Sequence, residues 1–133
     1  MAVPEKRISS ANVRQYAVDA KSTDTFGRVL CSARNHHFVI DGPVQNGCPG
    51  EAVTPPEAFL TGVAACGVEL VQVIARELSL PIPTARVHIE GIIDRDHPVR
   101  PDVTLFNEIS LRFEVSGVTR DQAHDLVERF KKR

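Results

Sequence analysis

The sequence predicts an α+β fold in which mainly antiparallel sheets accompany one long, buried central helix. Three observations carry this expectation. Segments of alternating apolar and polar residues occur on both sides of the chain, a continuous apolar stretch with a strong helix-start signal lies between them, and no Gly-rich phosphate loop follows a strand. The element order β, α, β-β, α is not that of a doubly wound nucleotide-binding fold.

In the first forty residues, Tyr16, Val18 and Ala20 alternate with polar neighbours and Phe38-Val39-Ile40 forms a short apolar run, so this part reads as extended. Asp41-Gly42-Pro43 breaks the last of these strands and opens a loop rich in Gly and Pro that runs to about Thr54. Thr54-Pro55-Pro56-Glu57 then supplies an N-cap, a proline in the first helical position and a glutamate three residues on, a capping box with a Pro start. The expected helix, Pro55 to Leu78, would be about 36 Å long. It is apolar on nearly every side, which marks a buried helix. A small domain cannot easily cover such a rod alone, so burial against a second subunit is expected. Arg76 and Glu77 mark its exposed end, and Pro81 and Pro83 stop it.

The last third reads as a hairpin and a helix. Val87, Ile89 and Ile93 share one face of the first strand, and Ile109, Leu111, Phe113 and Val115 alternate with polar residues in the second. A polar, Pro-rich loop from Asp94 to Asp102 lies between them. Thr119-Arg120-Asp121-Gln122 is a second capping box, and Ala123, Leu126, Val127 and Phe130 give the stripe of an amphipathic helix.

At 133 residues the chain is expected to form one domain with its own core. A net charge of -1, 5% aromatic residues and no Trp exclude the basic, aromatic-bearing surface of a nucleic-acid binder. Met1 to Arg14 lacks the apolar core of a signal peptide. The stretch Phe59 to Ile74, interrupted by Thr61, Glu69 and Gln72, is expected to be too short and too polar to span a bilayer. Cys31, Cys48 and Cys66 are an odd number with no Cys-x-x-Cys pair, which argues against a secreted disulfide framework and a standard zinc site. A reducing cytoplasm is the default. His36 and His37, adjacent on a strand, point to opposite faces and cannot share a metal without distortion. No metal or resident cofactor is expected.

The run Thr54-Pro55-Pro56-Glu57-Ala58-Phe59-Leu60-Thr61-Gly62-Val63-Ala64-Ala65-Cys66 resembles the signature of the OsmC/Ohr family: a Pro-x-Glu start, a small-residue-rich apolar helix, and a cysteine nine or ten positions after the glutamate. Upstream, His37-Phe38-Val39-Ile40-Asp41-Gly42-Pro43 is similar to the family's strand ending in Asp-x-Pro. Downstream, the strands at Arg86–Asp94 and Glu108–Gly117 and the helix at Val118–Arg129 keep the family's order. The resemblance covers about residues 30 to 133. It implies an intertwined homodimer with the two central helices buried at the interface. It also implies a thiol peroxidase that reduces organic hydroperoxides, with a Glu and an Arg near the attacking cysteine and an external dithiol as reductant.

On that resemblance Cys66 is the peroxide-attacking thiol, although a Cys in an apolar helix also reads as an inert small hydrophobe. It lies twelve residues past Thr54, beyond the reach of the helix dipole, so activation would need a nearby cation. Glu57 is the candidate acid, and the capping box explains it equally well. Nine residues separate it from Cys66, about 13.5 Å and half a turn along an ideal helix, so the two side chains cannot meet within one straight helix. If Glu57 acts on a thiol, it acts on Cys66 of a second copy, or the helix starts later. The family's arginine falls among Arg14, Arg28 and Arg34, with Arg28 the leading candidate. In two-cysteine members the resolving cysteine follows the last helix, beyond the position of Arg133. Cys48, in the loop before the helix, is the candidate substitute, with an exposed loop cysteine as the plainer reading. Cys31 reads as core, and Glu69 either borders the pocket or faces solvent. An apolar lining around Cys66 would favour bulky alkyl or fatty-acid peroxides over hydrogen peroxide.

Overall fold

The computed structural model of the 133-residue chain describes residues 12–81 and 84–133. Most of the Met1 to Arg14 segment, and Pro83 as a helix stop, lie outside the described residues. The fold is α+β, and the chain divides into two compact units, Met1–Pro55 and Pro56–Arg133.

The N-terminal unit is an antiparallel three-stranded meander, β1 (Asp19–Ser22), β2 (Arg28–Ala33) and β3 (His36–Asp41). The tight β2–β3 connection places Arg34 in the left-handed region at φ 55°. Cys31 is buried in β2, as its place in the sequence suggests. The alternation at Tyr16 and Val18 does not become a strand. Tyr16 is 83% exposed, and β1 begins only at Asp19 with all four of its residues exposed. An alternating pattern forms a half-buried strand only where a second layer covers its apolar face, and among the described residues of this unit none covers that face.

In the C-terminal unit, α1 (Pro55–Glu77) is followed by β4 (Thr84–Ile92), β5 (Glu108–Ser116) and α2 (Arg120–Phe130). β4 and β5 pair antiparallel with Ala85, Val87 and Ile89 opposite Val115, Phe113 and Leu111. These residues are half-buried, while their strand neighbours are exposed. Ile93, expected on the inward face, instead falls beyond the end of β4 and is exposed. The core is Val71, Ile74 and Ala75 of α1 with Leu126 of α2, and Phe113, Val115 and Phe130 pack against it. Gly67 lets α1 lie close to the sheet: a Cβ there would stand 3.2 Å from the Phe113 ring. α2 starts at the expected capping box, with Thr119 accepting from the Gln122 amide and the Gln122 side chain accepting from the Thr119 amide.

α1 begins at Pro55, where the Pro start places it, and ends one residue before the expected Leu78. Its end is set by a Schellman turn rather than by the prolines. Leu80 N–H donates to Ala75 O and Ser79 N–H to Arg76 O, with Ser79 at φ 56°. A side chain in that region costs roughly 1 kcal/mol that glycine avoids. Ser79→Gly is therefore expected to raise the urea midpoint at fixed protein concentration, by up to about 1 kcal/mol of stability. An unchanged or lower midpoint would contradict the strain assigned to Ser79.

The expected all-round burial of α1 is not supplied by the described residues of its own unit, where Gly67, Val71, Ile74 and Ala75 are the buried positions of the helix. The expectation that the stretch is too short and too polar to span a bilayer is also corrected. The helix has 23 residues and a mean hydropathy of 1.8 over its most apolar window, enough by length and composition alone. The flanking residues Pro55 to Ala58 and Ala75 to Glu77 supply the added length. A core helix of a soluble protein has the same properties, and the buried residues of α1 do pack as a core against α2 and the sheet.

Candidate functional site

The expected site residues fall into both units. Arg28 and Cys48 belong to the N-terminal unit, and Glu57 and Cys66 to the C-terminal one.

In the N-terminal unit Arg28 and Asp41 are directly opposite in the β2–β3 register, so the hairpin itself brings their side chains together. Arg28 Nε donates to Asp41 Oδ1 at 2.8 Å and its Nη2 to Oδ2 at 2.9 Å, the two-pronged geometry that makes Arg–carboxylate pairs strong. Asp41 is fully buried, and its Oδ2 also accepts from the Glu51 and Ala52 amides, each at 3.0 Å. The Glu51 carboxylate lies 3.5 Å from the same guanidinium. The Arg28 hydrogen bond, opposed by desolvation and helped by the Ala52 and Glu51 amides, holds the Asp41 carboxyl down at about 2. That hydrogen bond also raises the Arg28 guanidinium above its ordinary range. Arg14 is exposed, and Arg34 sits in the hairpin turn.

Asp41 thereby closes the neck of the loop that carries Cys48. Gly42 N–H donates to Gly27 O at 2.8 Å, Gly50 N–H to Gly42 O at 3.1 Å, and Cys48 N–H to Pro43 O at 3.3 Å. The Cys48 side chain fills the space left by two missing Cβ atoms, since a Cβ on either Gly27 or Gly42 would come within 2.4 Å of its Sγ. Cys48 is thus half-buried, not the exposed loop cysteine of the plainer sequence reading.

In the C-terminal unit α1 is one unbroken helix from Pro55, so a later start does not bring Glu57 to Cys66. Glu57 lies in its first turn and Cys66 at mid-helix, exposed in the single chain. Seven residues, close to two full turns, separate Phe59 from Cys66, which places them on one helix face. Phe59 is 56% exposed and stacks on Phe106, with ring centroids 5.8 Å apart. Phe106 in turn lies over Gly91 of β4, where a Cβ would clash with its ring at 2.5 Å, and Leu60 flanks the same point. Glu69 continues the exposed face and, with Gln72, Val73 and Arg76, borders a shallow depression of about 360 Å³.

The sequence reading missed both Asp41 as the partner of Arg28 and the Phe59–Phe106 stack. Among the described residues no cluster of His, Cys, Asp or Glu could hold a metal ion, and His36 and His37 are both exposed on β3.

Solved structures share the fold at low identity. An OsmC-like protein from Mycoplasma pneumoniae superposes with a TM-score of 0.76 at 18% identity, covering 90% of this chain and 82% of that one. An organic hydroperoxide resistance protein OsmC from Legionella pneumophila gives 0.71 at 16% identity, covering 90% and 84%. The organic hydroperoxide resistance protein OhrB of Bacillus subtilis gives 0.60 at 17% identity, covering 90% and 84%. No curated protein matches the sequence. Residues 48–133, from Cys48 through both helices, match the OsmC-like protein family, and the chain belongs to that family.

Proposed function

We propose that this protein is a thiol-dependent peroxidase that reduces organic hydroperoxides to alcohols through Cys66, as a cytoplasmic homodimer in oxidative stress defence. The observation that carries the reading is Cys66 itself, an exposed thiol on the helix face that also carries Phe59 of the stacked aromatic pair. The relatives described as organic hydroperoxide resistance proteins support the substrate class.

In this reaction the Cys66 thiolate attacks one peroxide oxygen and the O–O bond breaks heterolytically. The alkoxide leaves and takes up a proton to give the alcohol, while sulfur is oxidised to the sulfenic acid. A second thiol then condenses with the sulfenic acid, releasing water, and an external dithiol reduces the disulfide. Cys48 is the candidate second thiol and must leave the niche between Gly27 and Gly42 to serve. Asp41 engages Nε and Nη2 of Arg28, which leaves the Nη1 N–H groups to stabilise a thiolate. Glu57 acts on Cys66 of the second copy, because one straight helix keeps the two apart. The deciding experiment is consumption of cumene hydroperoxide and hydrogen peroxide with a dithiol reductant. Preferential turnover of the organic peroxide is expected; no turnover of either ends the proposal.

The carboxylates of Asp41 and Glu51 offset the Arg28 charge, which favours a second reading without a C-terminal resolving Cys: a non-catalytic small-molecule-binding dimer with Cys66 as a packing residue, or a redox-sensing one in which Cys66 is oxidised once and not recycled. One equivalent of peroxide consumed per Cys66, with no further turnover, would select the sensor, and no reaction of Cys66 with peroxide the binding dimer.

Phe59 offers a specificity test within the first reading. It lies about 10.5 Å along the helix from Cys66, too far to touch a tert-butyl group on a peroxide bound at the thiol but within reach of a long acyl chain. Phe59→Ala is expected to lower kcat/KM roughly tenfold for a fatty-acid hydroperoxide and leave tert-butyl hydroperoxide within about twofold. Equal losses on both substrates would remove Phe59 from substrate recognition.

A further inference from the structure

The connection between β4 and β5 is far longer than a hairpin needs. Residues 93–107 lie between the strands, whereas hairpin loops typically take about two to five residues. Loops of this length in compact folds are usually functional or disordered, and this one is ordered by its own hydrogen bonds. Asn107 ties both sides together: its side chain accepts from the Asp94 amide at 2.7 Å and donates to His97 O at 2.6 Å, and its own amide donates to Ile92 O at 2.7 Å. The Asp94 carboxylate holds His97 Nδ1 at 3.0 Å and accepts from the Asp96 amide at 3.0 Å. Arg100 pairs with Asp102 at 2.8 Å beside a β-bridge between Arg100 and Val103.

The loop so held borders an open cavity of about 240 Å³ whose lining includes the apolar Ile93, Pro98, Val103 and Leu105 and the polar Arg95 and Thr104. Both acids at the rim are committed, Asp94 to His97 and Asp102 to Arg100, whereas Arg95 has no ion-pair partner among the described residues. The volume equals that of about eight waters and is smaller than the roughly 300–1,000 Å³ of drug-sized sites. A fragment-sized ligand fits it.

We propose that this loop cavity binds a small monocarboxylate with a compact apolar body, its carboxylate on Arg95 and Thr104 and its apolar body against Ile93, Val103 and Leu105. One unpaired guanidinium matches a single negative charge, and the apolar wall favours such an acid over inorganic anions.

Titration of the full-length ¹⁵N-labelled protein with benzoate tests this, with benzyl alcohol as the neutral control and inorganic phosphate as the anion lacking an apolar body. Benzoate is expected to cause saturable shifts confined to residues 93–107 with a Kd on the order of 1 mM. Arg95→Gln should weaken binding about tenfold or more and Arg95→Lys less. Arg95 is exposed, so neither change threatens folding. Non-saturable shifts, benzyl alcohol or phosphate binding as well as benzoate, or undiminished binding by Arg95→Gln would each overturn the proposal.

Discussion

Replacing Cys66 by serine is expected to bring organic peroxide turnover down to background, a fall on the order of a thousandfold or more. Serine keeps the volume and the helix but has no accessible anion at neutral pH and no sulfur to oxidise. Its hydroxyl therefore neither attacks the O–O bond nor forms a sulfenic acid. Because Cys66 is exposed in the single chain and makes no core contact, the variant should fold and assemble as the parent does. Its circular dichroism and sizing profile are the controls. Cys48→Ser separates the steps. If Cys48 resolves the sulfenic acid, this variant should consume one equivalent of peroxide rapidly and then stall, and peptide mapping of the oxidised parent should show a Cys48–Cys66 disulfide. Undiminished steady-state turnover in Cys48→Ser would remove Cys48 from the cycle. Undiminished turnover in Cys66→Ser would remove the proposed chemistry altogether. Light scattering bears on the shared site independently: a dimer at micromolar concentration is expected, and a clean monomer would leave Glu57 without any route to Cys66.

Much of this architecture was legible from residue patterns, and the misses share a cause. The start of α1 at Pro55 and the α2 capping box are local signals, satisfied within a few residues of chain, and they read correctly. Val87 and Ile89 of β4 and Leu111, Phe113 and Val115 of β5 follow from strict alternation with one covered face, whereas Ile93 and Ile109, at the loop end of the hairpin, are exposed. Tyr16 and Val18 show the same alternation and remain outside any strand, because alternation reports what a strand could bury and not whether a layer exists to bury it. The end of α1 was assigned to Pro81 and Pro83, although a serine in a left-handed turn closes it first; serine is a weak signal for a position that usually takes glycine. At the site, Cys66 and Glu57 were placed correctly on one helix, whereas Asp41 was read only as the residue that ends a strand. Its pairing could have been found by arithmetic. Once the hairpin turns at Arg34 and Asn35, residue 28 must face residue 41, and an arginine opposite an aspartate invites a salt bridge. The Phe59–Phe106 stack was not accessible in this way, because Phe106 lies in a loop whose path no periodicity specifies.

That salt bridge carries the second large expected effect. Asp41→Asn should lower the melting temperature at neutral pH by roughly 5–10 °C. The buried side chain then has one carbonyl oxygen where two carboxylate oxygens served four donors, and Arg28 keeps only the more distant and exposed Glu51 as a charge partner. Because Arg28 is partly exposed, water offsets some of that loss, which keeps the expected change below that of a fully buried pair. The acid limb carries the signature of the same group. The Asp41 carboxyl is held at about 2 in the folded chain by the Arg28 hydrogen bond and the two amides, against roughly 3.9 when unfolded. Its contribution is therefore fully present above about pH 4 and is lost as the pH falls through about 2. The parent should lose stability steeply across that window, and the Asn variant, which cannot protonate there, should lose less. Loosening the loop neck should also free the Cys48 side chain, so its alkylation by a maleimide should run severalfold faster in Asp41→Asn. Parallel acid limbs in the two proteins would remove the Asp41 carboxylate from the acid dependence of stability, and an unchanged alkylation rate would show that the loop is held by its backbone hydrogen bonds alone.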